Sequence, residues 1–282
     1  MQVEVSIVIT NYNKSFFLEE AVKSALSQTI KCEIILIDDA STDNSIEIIN
    51  KIRRANKNLI FIQNNKNMGV VYSRNKAIEQ SNGKYILPLD ADDIIEPTYA
   101  EKAKKYLDKN DKCGIVYCNA RRFGKINDNW NLINYDKNVI WYKNHIFSTA
   151  MFRKKDWSSI GGYDNKFNSG HEDWDFWLSI LERGRTPFKI NEYLFKYRIL
   201  ETSRSTSADK RVNLEFETIF KKHINWILSI DGSIQKIFKA LVQYDNGSAI
   251  IYKRKYKRYK NLLLLSVLIN FVLTIEYLSK LI

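Results

Sequence analysis

The sequence is poor in the residues that staple, punctuate or break a chain: of 282 residues, 3 are cysteine, 3 proline and 10 glycine. Cys32, Cys113 and Cys118 show no CxxC or Cys/His spacing, which excludes a disulfide framework and a zinc site and points to a reducing, cytosolic interior. With little proline, 45% apolar and 27% charged residues, the composition excludes wholesale disorder and suits a globular chain with a large core. The opening MQVEVSIVITNYN holds no cationic segment, no apolar stretch of secretory length and no small-residue cleavage pattern, so export is not expected. Glycine is missing where nucleotide-binding folds most need it. The loop after the first apolar run, TNYNKS, has none, and GxGxxG, GxxxxGK[ST] and a glycine-rich pyrophosphate loop are all absent. A nucleotide's phosphates would have to be held another way.

What is present is a repeated order of apolar run, polar loop and helical spacing. VEVSIVIT (3–10) leads through TNYNKS to Phe17, Leu18, Ala21, Val22, Ala25 and Leu26 at helical intervals. Glu33 to Ile37 ends in Asp38 and Asp39, and Ile46, Ile49 and Ile52 follow, with Ser41 or Thr42 available to cap that helix. A third unit runs from Leu59–Ile62 past Gly69 into a helix carrying Val70, Val71, Ala77 and Ile78 that Gly83 stops, and YILPLDADD adds a fourth strand. Such alternation predicts right-handed crossovers and a mostly parallel sheet covered by helices, with ligands beyond the carboxyl ends of the strands. Residues 94–205 are less regular: a helical stretch to Asp108, a strand near Ile115–Cys118, an aromatic-rich segment, then GGYDNKF and GHEDWDFWLSILERG. From Asp209 glycine almost vanishes, and Val212, Phe216, Ile219, Phe220, Ile227 and Leu228 mark an amphipathic helix.

The acids Asp90, Asp92 and Asp93 stand at a strand end where a divalent cation is useful, because hard carboxylate oxygens suit Mg²⁺ or Mn²⁺ bridging a diphosphate. Alone, such a cluster also reads as a solvated turn. The ordered set VSIVITNYN, LIDDASTDNS, NMGVVYSRN, YILPLDADD, GGYDNKF and HEDWDFWL, however, resembles the family 2 glycosyltransferases of the GT-A fold, over roughly residues 3–205.

The resemblance implies an α/β fold, a GT-A (Rossmann-like) mostly parallel sheet flanked by helices, plus a C-terminal all-helical appendage. Residues 1–205 would form the transferase domain, 1–93 its nucleotide-sugar half and 94–205 its acceptor half, with 206–282 the helical region. It implies that Thr10, Asn11, Tyr12 and Asp39 hold the nucleobase, with Asp38 the alternative to Asp39. It places Arg74 at ribose or phosphate, Asp92 as direct metal ligand, and Asp90 at the metal and nearer the ribose or sugar. Asp173 becomes the general base, with Glu172 in reserve. Arg198 carries over to a lid with Ser203 and Arg204, although the His of the family's YRxH is missing here and Leu200 or Glu201 stands near its place. Each assignment has a plainer reading: Asp38 or Asp39 as a strand-end or cap acid, Arg74 as an exposed helical partner of Glu79, and Asp173 as a dipole-favoured acid at a helix start. Trp174 and Trp177, with Trp141 and Tyr142, read either as core or as a platform for a sugar ring. His171 reads as a local hydrogen-bonding residue.

Of the net charge of +12, half lies in KRKYKRYK (253–260), directly before Leu262–Ile275, which is apolar apart from Ser266, Asn270 and Thr274. That helix is short for crossing a bilayer, which leaves peripheral membrane contact or packing with homo-oligomer formation. Nucleic acid is not expected as a partner, since no recognised module accompanies the charge. The resemblance implies a cytoplasmic enzyme, placed by its basic tail in the cytosol or at the membrane's inner face, that moves a glucose- or galactose-type sugar from a UDP-sugar to a glycan hydroxyl on protein or lipid, with Mn²⁺ or Mg²⁺, in bacterial surface glycan or glycoprotein synthesis. The alternative is a catalytically silent nucleotide-sugar-binding subunit.

Overall fold

The computed structural model describes residues 3–167, 170–201 and 210–231, with backbone alone at 210–217 and 231. The chain divides into two compact units, Met1–Trp226 and Ile227–Ile282. The basic run, the apolar helix after it, Ser203 and Arg204 lie outside the described residues.

The first unit is built on a nine-stranded sheet in the order β3-β2-β1-β4-β8-β6-β9-β5, with β7 paired to β6. Its first half is parallel, formed by β1 (Val5–Asn11), β2 (Glu33–Asp38), β3 (Ile60–Gln63) and β4 (Tyr85–Asp90). The crossovers are α1 (Ser15–Leu26), α2 (Ser45–Ala55) and α3 (Val70–Glu79). Every residue of β1 is buried, as the central strand between β2 and β4 requires. Pro88 is tolerated inside β4 because β8 (Met151–Arg153) pairs only Tyr85 and Ile86 on that edge, so no ladder partner is lost there.

Beyond β8 the sheet turns mixed. The twelve-residue β6 (Cys113–Gly124) runs antiparallel to β8 and parallel to the fourteen-residue β9 (Thr186–Ile199), with register shifts around Asn119. β5 (Ile94–Ile95) caps the far edge, and β7 (Asp128–Trp130) folds back on β6 across a turn where Gly124 adopts φ +96°. The remaining helices are α4 (Tyr99–Lys109), α5 (Lys154–Ile160), α6 (Glu172–Glu182) and α7 (Lys210–Asp231).

The second helix starts later than the capping expectation. Ser41 instead donates to Asp38, and the Asp43 carboxylate accepts from Ser15 N–H at 2.9 Å and Ser45 N–H at 3.0 Å, capping α1 and α2 together. Among the described side chains of α7, Ile219, Phe220 and Ile227 are buried as the amphipathic spacing expects, and His223 is buried between two acids of α6. His223 Nε2 lies 2.9 Å from Asp175, Nδ1 lies 2.9 Å from Glu182, and Lys222 bridges Asp164 and Asp175. Burial works against a charged imidazole there, but the two carboxylates outweigh it and raise its pKa. Among the described residues no helix is long and apolar enough to cross a membrane.

Candidate active site

Parallel pairing sets the carboxyl ends of β1, β2 and β4 side by side. Thr10 is in register with Asp90 and donates its hydroxyl to the Asp90 carboxylate at 3.0 Å; Asn11 is in register with Asp38 and donates to it at 2.7 Å. The loops above are braced to one another by Asn13, whose side-chain oxygen accepts from Thr42 N–H at 2.7 Å and Asp43 N–H at 3.3 Å. Asn13 and Ala40 sit at φ +53° and +59°, a conformation that costs a non-glycine residue about 1 kcal/mol or more and that this bracing holds in place. The Asn11 amide oxygen is buried without a hydrogen-bond partner.

Asp38, which ends β2, and Asp39, which follows it, are both buried. Asp38 accepts from Asn11, from Ser41 N–H at 2.9 Å and from the Ser41 hydroxyl at 2.6 Å. Asp39 accepts from Asn64 at 2.7 Å, Met68 N–H at 2.9 Å and Gly69 N–H at 2.8 Å, which fixes the loop entering α3. A carboxylate has about four lone-pair sites, so Asp39 keeps one acceptor position. Tyr12, 43% exposed, stands on the adjoining loop.

Arg74 is not the exposed helical arginine of the plainer reading. It is 1% exposed, with Nη2 3.1 Å from Asp90 and Nη1 3.3 Å from Glu172, and its guanidinium carbon lies 5.1 Å from the centre of the Tyr163 ring. Burial opposes its charge, but Asp90, Tyr163, Glu172 and Asp173 outweigh that and hold its pKa above the ordinary value. Arg74 therefore bolts the end of β4 to the start of α6, two segments eighty residues apart in sequence.

Asp92 lies 2.6 Å from Lys14 Nζ of the first loop. Asp93 is buried beside it and accepts from Arg198 N–H at 2.8 Å, while Arg198 Nε donates to the Asp92 carbonyl at 2.8 Å. Burial, then the charges of Asp92 and Asp90, pushes the Asp93 carboxyl well above the usual range. Arg198 is further held by Glu20 and lies between the rings of Phe17 (4.4 Å) and Phe123 (4.1 Å). It is an anchored residue supporting the acidic turn.

Asp173, in the first turn of α6, accepts from Trp174 N–H at 2.7 Å and Asn144 Nδ2 at 3.4 Å. Desolvation, followed by the Glu172 charge, raises its pKa to about 7, against the opposing pull of Arg74 and Trp174 N–H. A carboxyl titrating there can take a proton near neutrality. Asp90 contributes to the same shift, so the acids of β4 and α6 act on one another. The sugar-platform reading of the tryptophans is overturned. Trp174 and Trp177 are buried and donate their indole N–H groups to the carbonyls of Ile140 (2.6 Å) and Ile146 (3.2 Å), and Trp141 is buried as well. Their spacing belongs to the core.

Asp90 and Asp92 fit a divalent cation chemically: hard oxygen donors at one turn, crowded enough with Asp93 that their negative charge needs a counter-charge, which Lys14 supplies at Asp92. Among the described residues no three metal-ligating side chains converge, so two carboxylates would leave coordination positions for phosphate and water oxygens. Lys14, Asn64, Asn144, Tyr163 and Glu20 belong to the site's framework and were not singled out from sequence. Lys14 alone carried a local signal, as the one cation of TNYNKS.

Residues 6–169 match the family model described as Glycosyl transferase family 2. An uncharacterized glycosyltransferase of Methanocaldococcus jannaschii is 31% identical over 233 residues, covering 78% of this chain and 79% of that protein. Among solved structures, S. aureus TarS (residues 1–349) in complex with UDP-GlcNAc superposes with a TM-score of 0.64 at 17% identity, over 85% of this chain and 80% of that one. The Pyrobaculum calidifontis mannosyltransferase PcManGT, in complex with GDP-Man and Mn²⁺, gives 0.60 at 15% identity, over 94% and 81%. A sheet whose parallel half ends in Asp38, Asp39, Asp90 and Asp92, joined through Arg74 to an acidic helix start, thus accompanies a family match over more than half the chain, and the chain belongs to glycosyl transferase family 2.

Proposed function

We propose that this chain transfers a single sugar, of glucose or galactose type, from a UDP-sugar to a hydroxyl of a glycan carried by protein or lipid, inverting the anomeric configuration. The observation that carries the reading is Arg74, buried and paired at once to Asp90 and Glu172, which draws the acidic turn after β4 and the Asp173 carboxyl into one electrostatic system. The nucleotide complexes of the two structural neighbours support a nucleotide-sugar donor, and Mn²⁺ in one of them supports a metal.

Asp92 and Asp90 would hold the divalent cation, which when bound supplies positive charge against the diphosphate leaving group. Thr10, Asn11, Tyr12 and Asp39 would hold the nucleobase: the remaining acceptor site of Asp39 takes the uracil N3–H, the Tyr12 ring packs on the base, and Asn11 braces that loop through Asp38. Arg74 orients Asp90 and Glu172 from below. Asp173 removes the proton from the acceptor hydroxyl as its oxygen bonds to the anomeric carbon and the bond from that carbon to the diphosphate breaks, releasing UDP. Arg198 steadies the turn carrying Asp92. The cytoplasmic side, where nucleotide sugars are made, is the matching location.

The test is a screen of UDP-sugars for slow hydrolysis and transfer, read as released UDP. Asp173→Asn is expected to bind UDP with Mn²⁺ as the native protein does and to turn over at least a hundredfold more slowly, about the contribution of a positioned base. Full turnover in that variant places the base elsewhere.

A further inference from the structure

The register at the far edge of the sheet aligns four residues across four strands. Asn129 of β7 faces Arg121 of β6, Arg121 faces Lys196 of β9, and Lys196 faces Ile94 of β5. All four line one groove of ≈ 640 Å³, together with Phe123, two residues along β6, and Glu20 of α1. Two cations therefore stand directly opposite each other, an arrangement that destabilises a sheet unless something of opposite charge lies over it. Lys196 has such a partner in Glu96 at 3.0 Å. The neighbouring Arg122 is neutralised by a two-point contact with Asp128. Arg121 is exposed and pairs with no carboxylate among the described residues; its guanidinium rests over the Tyr193 ring, 5.4 Å from the centre, which orients it without neutralising it.

One residue, Arg198, links the lining of the groove to the candidate active site. The Phe123 ring on its wall carries the Arg198 guanidinium, Glu20 on the same wall holds that guanidinium, and Arg198 donates to the carbonyl of Asp92. The side-chain amides of Asn127 and Asn129 and an unneutralised guanidinium on a rigid sheet suit a sugar chain bearing an anionic group, the amides for hydroxyls and the fork of Arg121 for a carboxylate or phosphate.

We propose that this groove binds an acidic saccharide, with Arg121 and Lys196 gripping its carboxylate or phosphate, and so selects an acceptor that carries negative charge near its growing end. Naming the ligand an acceptor rests on the transferase reading; the binding itself does not.

The test is calorimetric titration of the full chain with three probes: a uronate-containing tetrasaccharide, the same tetrasaccharide after carboxyl reduction, and a glycerol-phosphate oligomer. At least one acidic probe is expected to bind about tenfold more tightly than the reduced sugar. Arg121→Gln, a change at an exposed position, should remove most of that advantage, again about tenfold, as should Lys196→Gln. Preference for the uronate or for the phosphate probe identifies which anion the groove takes. Affinity for UDP with Mn²⁺ should be unchanged in Arg121→Gln. Equal binding of the acidic and reduced tetrasaccharides with no binding of the phosphate oligomer, no binding of either acidic probe at millimolar concentration, or an Arg121→Gln protein within twofold of native, would each overturn the proposal. Saccharide binding without UDP binding would instead remove the transferase reading and leave the groove standing.

Discussion

Replacing Glu172 by Gln deletes one negative charge beside Asp173 while keeping the side chain's size and an oxygen for Arg74 to donate to. In the native protein Asp173 titrates at about 7 because burial disfavours its charge and Glu172 adds to that, with Arg74 pulling the other way. Both consequences of the substitution have the same sign: the repelling charge disappears, and Arg74, with one carboxylate fewer to neutralise it, attracts Asp173 more strongly. At an effective dielectric of about 20 a unit charge is worth roughly 4 kcal/mol at about 4 Å and still about 1–2 kcal/mol at about 8–16 Å, so removing the Glu172 charge is worth at least about one pKa unit. The acid limb of kcat/KM, which reports the free enzyme, should then move from near pH 7 toward about pH 6. At pH 6 the ionised fraction of Asp173 rises from about one tenth to about one half, so activity relative to each protein's own plateau rises about fivefold. The plateau itself should fall, because a weaker base accepts the proton less readily. The assay is released UDP measured from pH 5 to 9 at low donor concentration. A limb that stays in place or moves upward refutes the coupling between Glu172 and Asp173.

Arg74→Met leaves the Asp90 and Glu172 carboxylates without their shared buried counter-charge, and should cost about 3–5 kcal/mol in urea unfolding monitored by tryptophan fluorescence; a loss below about 1 kcal/mol would remove its role as the bolt between β4 and α6. Asp43→Ala uncaps α1 and α2 together and should cost about 1–2 kcal/mol in the same measurement, whereas Thr42→Ala should cost less. The His223 contacts tie α7 to α6 through a raised imidazole pKa, so their stabilisation is complete below about pH 6.5 and fades as pH rises through the higher folded-state value. Hydrogen exchange of α7 should accelerate from pH 6 to pH 9 beyond its intrinsic pH dependence, and His223→Gln should abolish that extra change; identical protection at both pH values would contradict it.

The parallel half of the sheet was legible because β1, β2 and β4 are buried on both sides and read as largely apolar runs, each ending in polar residues that the register brings together: Thr10 against Asp90, Asn11 against Asp38. The family resemblance rests on those same strand ends and on the helix start at Glu172. The mixed half was not legible in the same way. The pairing of β6 with β9 joins residues some seventy positions apart, and TPFKINEYLFKYRI alternates too weakly to announce a fourteen-residue strand. The role of Arg74 depended on burial and on Glu172, ninety-eight residues away, neither of which spacing along α3 conveys. Trp174 and Trp177 kept two readings open in sequence; the carbonyls of Ile140 and Ile146, supplied by a distant loop, decide for the core. Glu20 and Asn144 reach Arg198 and Asp173 only through tertiary structure.

The most direct test of the site is titration calorimetry of UDP into the protein with and without Mn²⁺, repeated with Asp92→Ala. Tight UDP binding that requires the metal in the native protein, and loses that requirement together with most of its affinity in Asp92→Ala, is the expected result. Equal UDP affinity with and without metal, or an Asp92→Ala protein indistinguishable from native, would contradict the assignment of the acidic turn after β4 as the cation site.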